Sequence, residues 1–100
     1  SSWGPYIIKK NEIKDQKKLR LTTFLNSKPV QDTTADKMIF SIEAQIAYAS
    51  TLFTLLPGDL IATGSPDGTG GSQVPKRHLV SGDTLEVTVS EVATLVNNVV

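Results

Sequence analysis

The residues best placed to do chemistry stand together in Thr63-Gly64-Ser65-Pro66-Asp67-Gly68. The stretch follows the apolar run Leu60-Ile61-Ala62 and opens a glycine-rich loop that reaches Gly71. Glycine lets a ligand approach the main chain closely, a hydroxyl stands beside it, and Pro66 fixes the direction of exit. Such a loop suits recognition of a ligand by hydroxyl and bare backbone. The plainer reading is a turn after a strand, which local pattern alone favours.

Nothing nearby activates Ser65 as a nucleophile. The single histidine, His78, sits in a Pro/Lys/Arg segment and reads as a solvent-exposed loop residue rather than a base. Magnesium-type ions want clustered carboxylates, and no two acids here form a Glu-x-Glu or Asp-x-Asp arrangement. Asp59 and Asp83 each follow a glycine and read as turn residues bonding local amides. The span 64–71 is not a Walker loop, because no Lys-Ser/Thr closes it and no helix pattern follows.

The elements that must hold this loop are mostly strands. Residues 3–8 read as a turn leading into a short strand, and the lysine-rich 9–18 as a solvated loop. Residues 19–26 alternate, with Leu19, Leu21, Thr23 and Leu25 on one face. Asn26-Ser27-Lys28-Pro29 is turn chemistry, and 30–34 returns as the second strand of a hairpin. Ser41 is an N-cap candidate for a helix over 42–55, whose apolar stripe is carried by Ile42, Ile46, Ala49 and Phe53 and ended by Pro57-Gly58. Burial of that stripe against a sheet is expected. A short strand at 59–62 feeds the loop, 84–90 alternates with Leu85, Val87 and Val89 inward, and 93–100 pairs back antiparallel. Five or six short strands and one helix, without regular alternation, point to an all-β or α+β roll or barrel.

Composition narrows the function classes. Ten basic and ten acidic residues cancel, which argues against a nucleic-acid surface. No cysteine is present, so disulfides and thiolate zinc sites are excluded and a cytoplasmic protein is expected. The apolar runs are too short to cross a bilayer as a helix.

The order Gly4-Pro5-Tyr6, Leu25-Asn26, Gln31, Thr34, Met38-Ile39-Phe40, Thr54-Leu55, Pro57-Gly58-Asp59, Ile61-Ala62-Thr63-Gly64-Ser65-Pro66, Gly82-Asp83, Thr94-Leu95, Asn97 and Val99 resembles the C-terminal half of the fumarylacetoacetate hydrolase superfamily. The most specific pieces are 57–66 and Met38-Ile39-Phe40. The resemblance implies an α+β, predominantly β fold: a mixed β-roll with one main helix, usually dimeric. It implies Mg²⁺, Mn²⁺ or Ca²⁺ in the complete enzyme and action on small oxo-acids. The reactions are acylpyruvate-type C–C hydrolysis, decarboxylation or isomerisation, driven by stabilising an enolate or carbanion. It assigns substrate contact to Gly64 and Ser65, with Thr63 a weaker candidate, through a backbone amide and a hydroxyl that hold a carboxylate or oxyanion.

Three departures from the family pattern stand out. Ser65 replaces the usual threonine, keeping the hydroxyl but losing the methyl that restricts its rotamer. Asp67 stands where small neutral residues are usual and is expected to face solvent. Glu91-Val92-Ala93 replaces glycines in the last hairpin turn. The family's metal carboxylates, catalytic lysine and lid lie upstream of the position of Gly4-Pro5, so residues 1–100 are expected to be the C-terminal portion of one catalytic domain. This portion holds no metal ligands, is inactive alone, and needs a second copy or its own N-terminal half. The alternative is a non-catalytic β-roll for binding or assembly, in which 63–68 is only a turn.

Overall fold

The computed structural model describes residues 2–100, so Ser1 lies outside the description. Four strands and one helix order the chain: β1 (Arg20–Leu25), β2 (Lys28–Thr34), α1 (Ile42–Leu52), β3 (Thr84–Val89) and β4 (Ala93–Asn98). The strands form one antiparallel sheet in the order β2-β1-β3-β4. The fold is α+β with one main helix, as expected.

The first hairpin is set by its turn. Asn26 and Ser27 both have positive φ, 50° and 65°. Two such residues between strands make the tight connection whose twist matches that of its flanks. Strand β2 therefore starts at Lys28, two residues earlier than the pattern suggests. Pro29 is tolerated because β2 is an edge strand carrying a bulge: Thr23 faces Gln31 while Phe24 faces Pro29, leaving Val30 as the extra residue.

The register of the central seam pairs Leu21 with Val89, Thr23 with Val87 and Leu25 with Leu85. The alternating residues of 19–26 and 84–90 thus meet on one face, as their patterns require. A row runs across that face through Gln31, Thr23, Val87 and Leu95. On the other face Arg20 forms a two-pronged ion pair with Asp32, and the Thr88 and Thr94 hydroxyls bond across β3–β4 at 2.7 Å.

Three expectations are corrected. Residues 3–8 and 59–62 pair with no strand. Neither segment has a ladder partner, so an apolar run there does not make a strand. The helix stops at Leu52 rather than continuing to 55. The Ser50 and Thr51 hydroxyls donate to the carbonyls of Ala47 and Tyr48, occupying acceptors of the last turn. Leu56, just before Pro57, is also biased away from helical backbone. The start is as expected: the Ser41 hydroxyl accepts from the Ala44 amide at 3.2 Å.

The third correction concerns packing. Helix α1 buries none of its residues, and the extensive packing between elements is in the strand pairs and between two short 3-10 turns. Its stripe is not laid on the sheet: Ile46, Leu52 and Phe53 remain 43%, 64% and 58% exposed. Among the described residues no apolar side chain is buried; Thr23 and Asp83 alone are. The accessible surface is 7847 Å², against roughly 5,500 Å² for a compact monomer of this mass. The radius of gyration is 15.1 Å, where about 13 Å is usual for this length. No helix among the described residues is long and apolar enough to cross a membrane.

Candidate functional site

Residues 53–69 follow α1 without regular secondary structure and carry Thr63, Gly64 and Ser65 on the surface. Gly64 has φ +108°, a conformation that a side chain strains, and a Cβ there would meet nothing within 4 Å. The glycine is needed for its backbone, and open space surrounds it. Neither the Thr63 nor the Ser65 hydroxyl is bonded to another described residue, so both are available to an incoming group. Asp67 is exposed, as expected.

The loop is held just beyond these residues. The Gln31 side-chain Nε2 donates to the Pro66 carbonyl at 3.1 Å, and the Thr23 hydroxyl donates to the Gln31 side-chain Oε1 at 2.8 Å. Gly68 lies so close to β2 that a Cβ would overlap the Val30 carbonyl, and its own carbonyl accepts from Gln73 at 3.3 Å. Further on, Gly70 packs against the Arg77 carbonyl in the same way and accepts from the Arg77 amide at 3.0 Å.

Arg77 is in turn tied to Asp83. Its guanidinium reaches both Asp83 oxygens at 2.7–2.8 Å, and the carboxylate also accepts from the Val80 amide at 2.9 Å and the Asn26 side chain at 2.7 Å. The Val80 amide, then Asn26 and Arg77, hold the Asp83 carboxyl below its usual range. Asn26 completes the knot by accepting from the Thr84 amide at 2.8 Å. Asp59 is a plain turn residue, accepting from the Leu56 amide at 2.7 Å. Asp83 does that and more: it binds the first hairpin turn, the loop's return and the start of β3 into one node.

The structure brings Thr63, Gly64 and Ser65 together but places no titratable partner on Ser65. His78 is exposed, as expected, and its backbone carbonyl accepts from the Arg77 guanidinium. No three His, Asp or Glu side chains among the described residues gather where they could hold a metal ion. Sequence reasoning gave no loop-supporting role to Thr23, Gln31, Asn26 or Arg77, although Asn26 and Gln31 belong to the family pattern. One signal was available: Thr23 is a hydroxyl in the inward row of a leucine strand.

A four-stranded antiparallel sheet that pins an exposed glycine–hydroxyl loop defines the class of this module. The chain belongs to the fumarylacetoacetate hydrolase family: the family described as "Fumarylacetoacetate (FAA) hydrolase C-terminal" matches residues 1–100. It is 38% identical over 96 residues to oxaloacetate tautomerase YisK of Bacillus subtilis, covering 96% of this chain and 32% of that protein. The fumarylacetoacetate hydrolase of Exiguobacterium antarcticum superposes with a TM-score of 0.93 at 29% identity, over 97% of this chain and 35% of the other. Maleylpyruvate hydrolase of Sphingobium sp. SYK-6, solved with manganese(II) and pyruvate, superposes with a TM-score of 0.88 at 31% identity, over 97% and 34%. The chain spans about a third of the length of the curated relatives it matches.

Proposed function

We propose that residues 1–100 are the C-terminal portion of a catalytic domain that acts on a small oxo-acid, and that 63–68 is the part of this portion that meets the substrate. The observation that carries the reading is the unengaged Ser65 hydroxyl beside Gly64, on a loop fixed at Pro66 and Gly68. The named activities of the relatives, oxaloacetate tautomerase and maleylpyruvate hydrolase, supply the substrate class.

In this reading the Gly64 amide and the Ser65 hydroxyl donate to a substrate carboxylate or to the oxygen that gains charge as an enolate forms. Donors already in place need no reorganisation when charge develops, which is where such groups accelerate a reaction. Ser65 acts as a donor and not as a nucleophile, since no base adjoins it. The exposed Asp67 carboxylate stays in water, where it repels an anion least.

The relative bound to manganese supports an ion such as Mg²⁺, Mn²⁺ or Ca²⁺ in the complete protein. No His, Asp or Glu cluster among the described residues fits one, and in this reading the ligands come from elsewhere in the complete protein. When bound, such an ion polarises an oxo-acid oxygen. The exposed apolar surface of Phe40, Phe53 and Leu60 supports cover by that remainder or by a second copy in a homodimer. A cytoplasmic location suits the cysteine-free composition.

The test is the complete reading frame, assayed with Mg²⁺ against acylpyruvates and oxaloacetate. Ser65→Ala is expected to lower kcat/KM about 10- to 100-fold, the worth of one hydrogen bond to a charged group, with the unliganded melting temperature unchanged. A lowered melting temperature with intact turnover would make Ser65 a turn residue and reject the reading.

A further inference from the structure

Thr23 is 4% exposed in a strand whose inward neighbours Leu21 and Leu25 are apolar. A buried hydroxyl there needs a partner, and it finds one: it donates to the Gln31 side-chain Oε1 at 2.8 Å. The Pro66 carbonyl can only accept, so the side-chain nitrogen of Gln31 must face it, donating at 3.1 Å, and Thr23, donating to the other end of that amide, holds it in place. The bulge at Val30 puts Gln31 directly opposite Thr23. Pro66 follows Ser65, and proline's ring locks its φ. Only one soft torsion therefore separates the held carbonyl from the Ser65–Pro66 peptide plane.

We propose that Gln31, oriented by Thr23, is a positioning residue that sets where the Gly64 and Ser65 donors stand, and so tunes substrate binding without touching the substrate. This rests on the reading of the loop given above. A shift of about 1 Å in such donors is enough to cost much of their effect.

The test uses the full-length protein. Gln31→Leu removes the tie, Thr23→Val removes the hydroxyl at equal shape, and Thr23→Ser restores it. Amide exchange of peptides covering 63–69 is expected to speed up about fivefold to tenfold in Gln31→Leu and Thr23→Val, as loss of one hydrogen bond predicts. The KM for the oxo-acid turned over in the assay above should rise by a similar factor, with Thr23→Ser returning most of both. A purely structural role would lower the active fraction, and hence kcat, without moving KM. If loop exchange and KM stay at parental values in Gln31→Leu and Thr23→Val while Ser65→Ala raises KM, the inference is overturned and the substrate reading stands. If loop exchange rises but neither Gln31→Leu nor Ser65→Ala moves KM, the substrate role of the loop falls, and the proposed tuning falls with it.

Discussion

At the scale of single residues, two side chains have effects on stability that can be tested directly. Glu91 has φ +61° in the turn closed by the Val92 amide bonding the Val89 carbonyl at 3.1 Å. Glycine adopts that conformation freely, and a side chain pays about 1 kcal/mol for it. Glu91→Gly is expected to raise the stability of the complete protein by up to about 1 kcal/mol, less glycine's extra entropy in the unfolded chain, measured by denaturant titration. Asp83 carries the opposite kind of effect. Its folded-state pKa is depressed by the Val80 amide, Asn26 and Arg77. A carboxyl depressed on folding stabilises the fold above its unfolded pKa, and loses that contribution as pH falls through the lower folded value. Acid unfolding of the parent should therefore show a component below the ordinary carboxylate range that Asp83→Asn removes, with a lower melting temperature at neutral pH. An unchanged acid limb in the variant would show the node to be unimportant.

At the scale of elements, the glycine loop and its strand make one unit. Gly64 and Gly68 share a positive φ, but only Gly68 abuts backbone. Gly64→Ala should cost about 1–2 kcal/mol for conformation alone. Gly68→Ala should cost more, because β2 must move away at Val30; equal melting temperatures for the two variants would contradict the close approach. The period-2 runs at 19–26 and 84–90 and the Ser41 cap were legible because each is local: a face repeats, a hydroxyl precedes a helix. The bulge at Val30 was not, since it arises from pairing between strands rather than from either strand. The supposed strand at 59–62 shows the same gap from the other side, because an apolar run becomes a strand only when a neighbour offers a ladder. The loop itself was visible as glycine and hydroxyl, while its anchors, Gln31 and Arg77, act across 35 residues or through a node with Asn26 and Asp83. The substrate role proposed for it comes from family resemblance and not from periodicity.

At the scale of the whole molecule, surface dominates. Roughly 2,300 Å² more is exposed than a compact monomer of this mass would leave, and Trp3, Phe40, Phe53 and Leu60 are among the side chains left in water. The isolated hundred residues are expected to bind a hydrophobic dye, self-associate and melt without a sharp transition, while the complete polypeptide melts cooperatively. A monomeric isolated chain with a sharp transition in sedimentation and melting experiments would mean that the sheet suffices alone. The helix stripe at Ile42, Ile46, Ala49 and Phe53 is periodic in sequence, yet none of its residues is buried among the described residues. Periodicity reports that a face is meant to be covered; it does not say by what.

The strand order has a consequence for added length. Each hairpin, β1–β2 and β3–β4, is contiguous in sequence, and the seam between β1 and β3 joins them. Everything from the end of β2 to the start of β3, the candidate site included, is one insertion between two ready-made hairpins. Lengthening a flexible insertion costs little, about 0.6 kcal/mol for each doubling. Residues added within this segment, away from the ties at Pro66, Gly68 and Gly70, therefore leave the pairing of the two hairpins undisturbed.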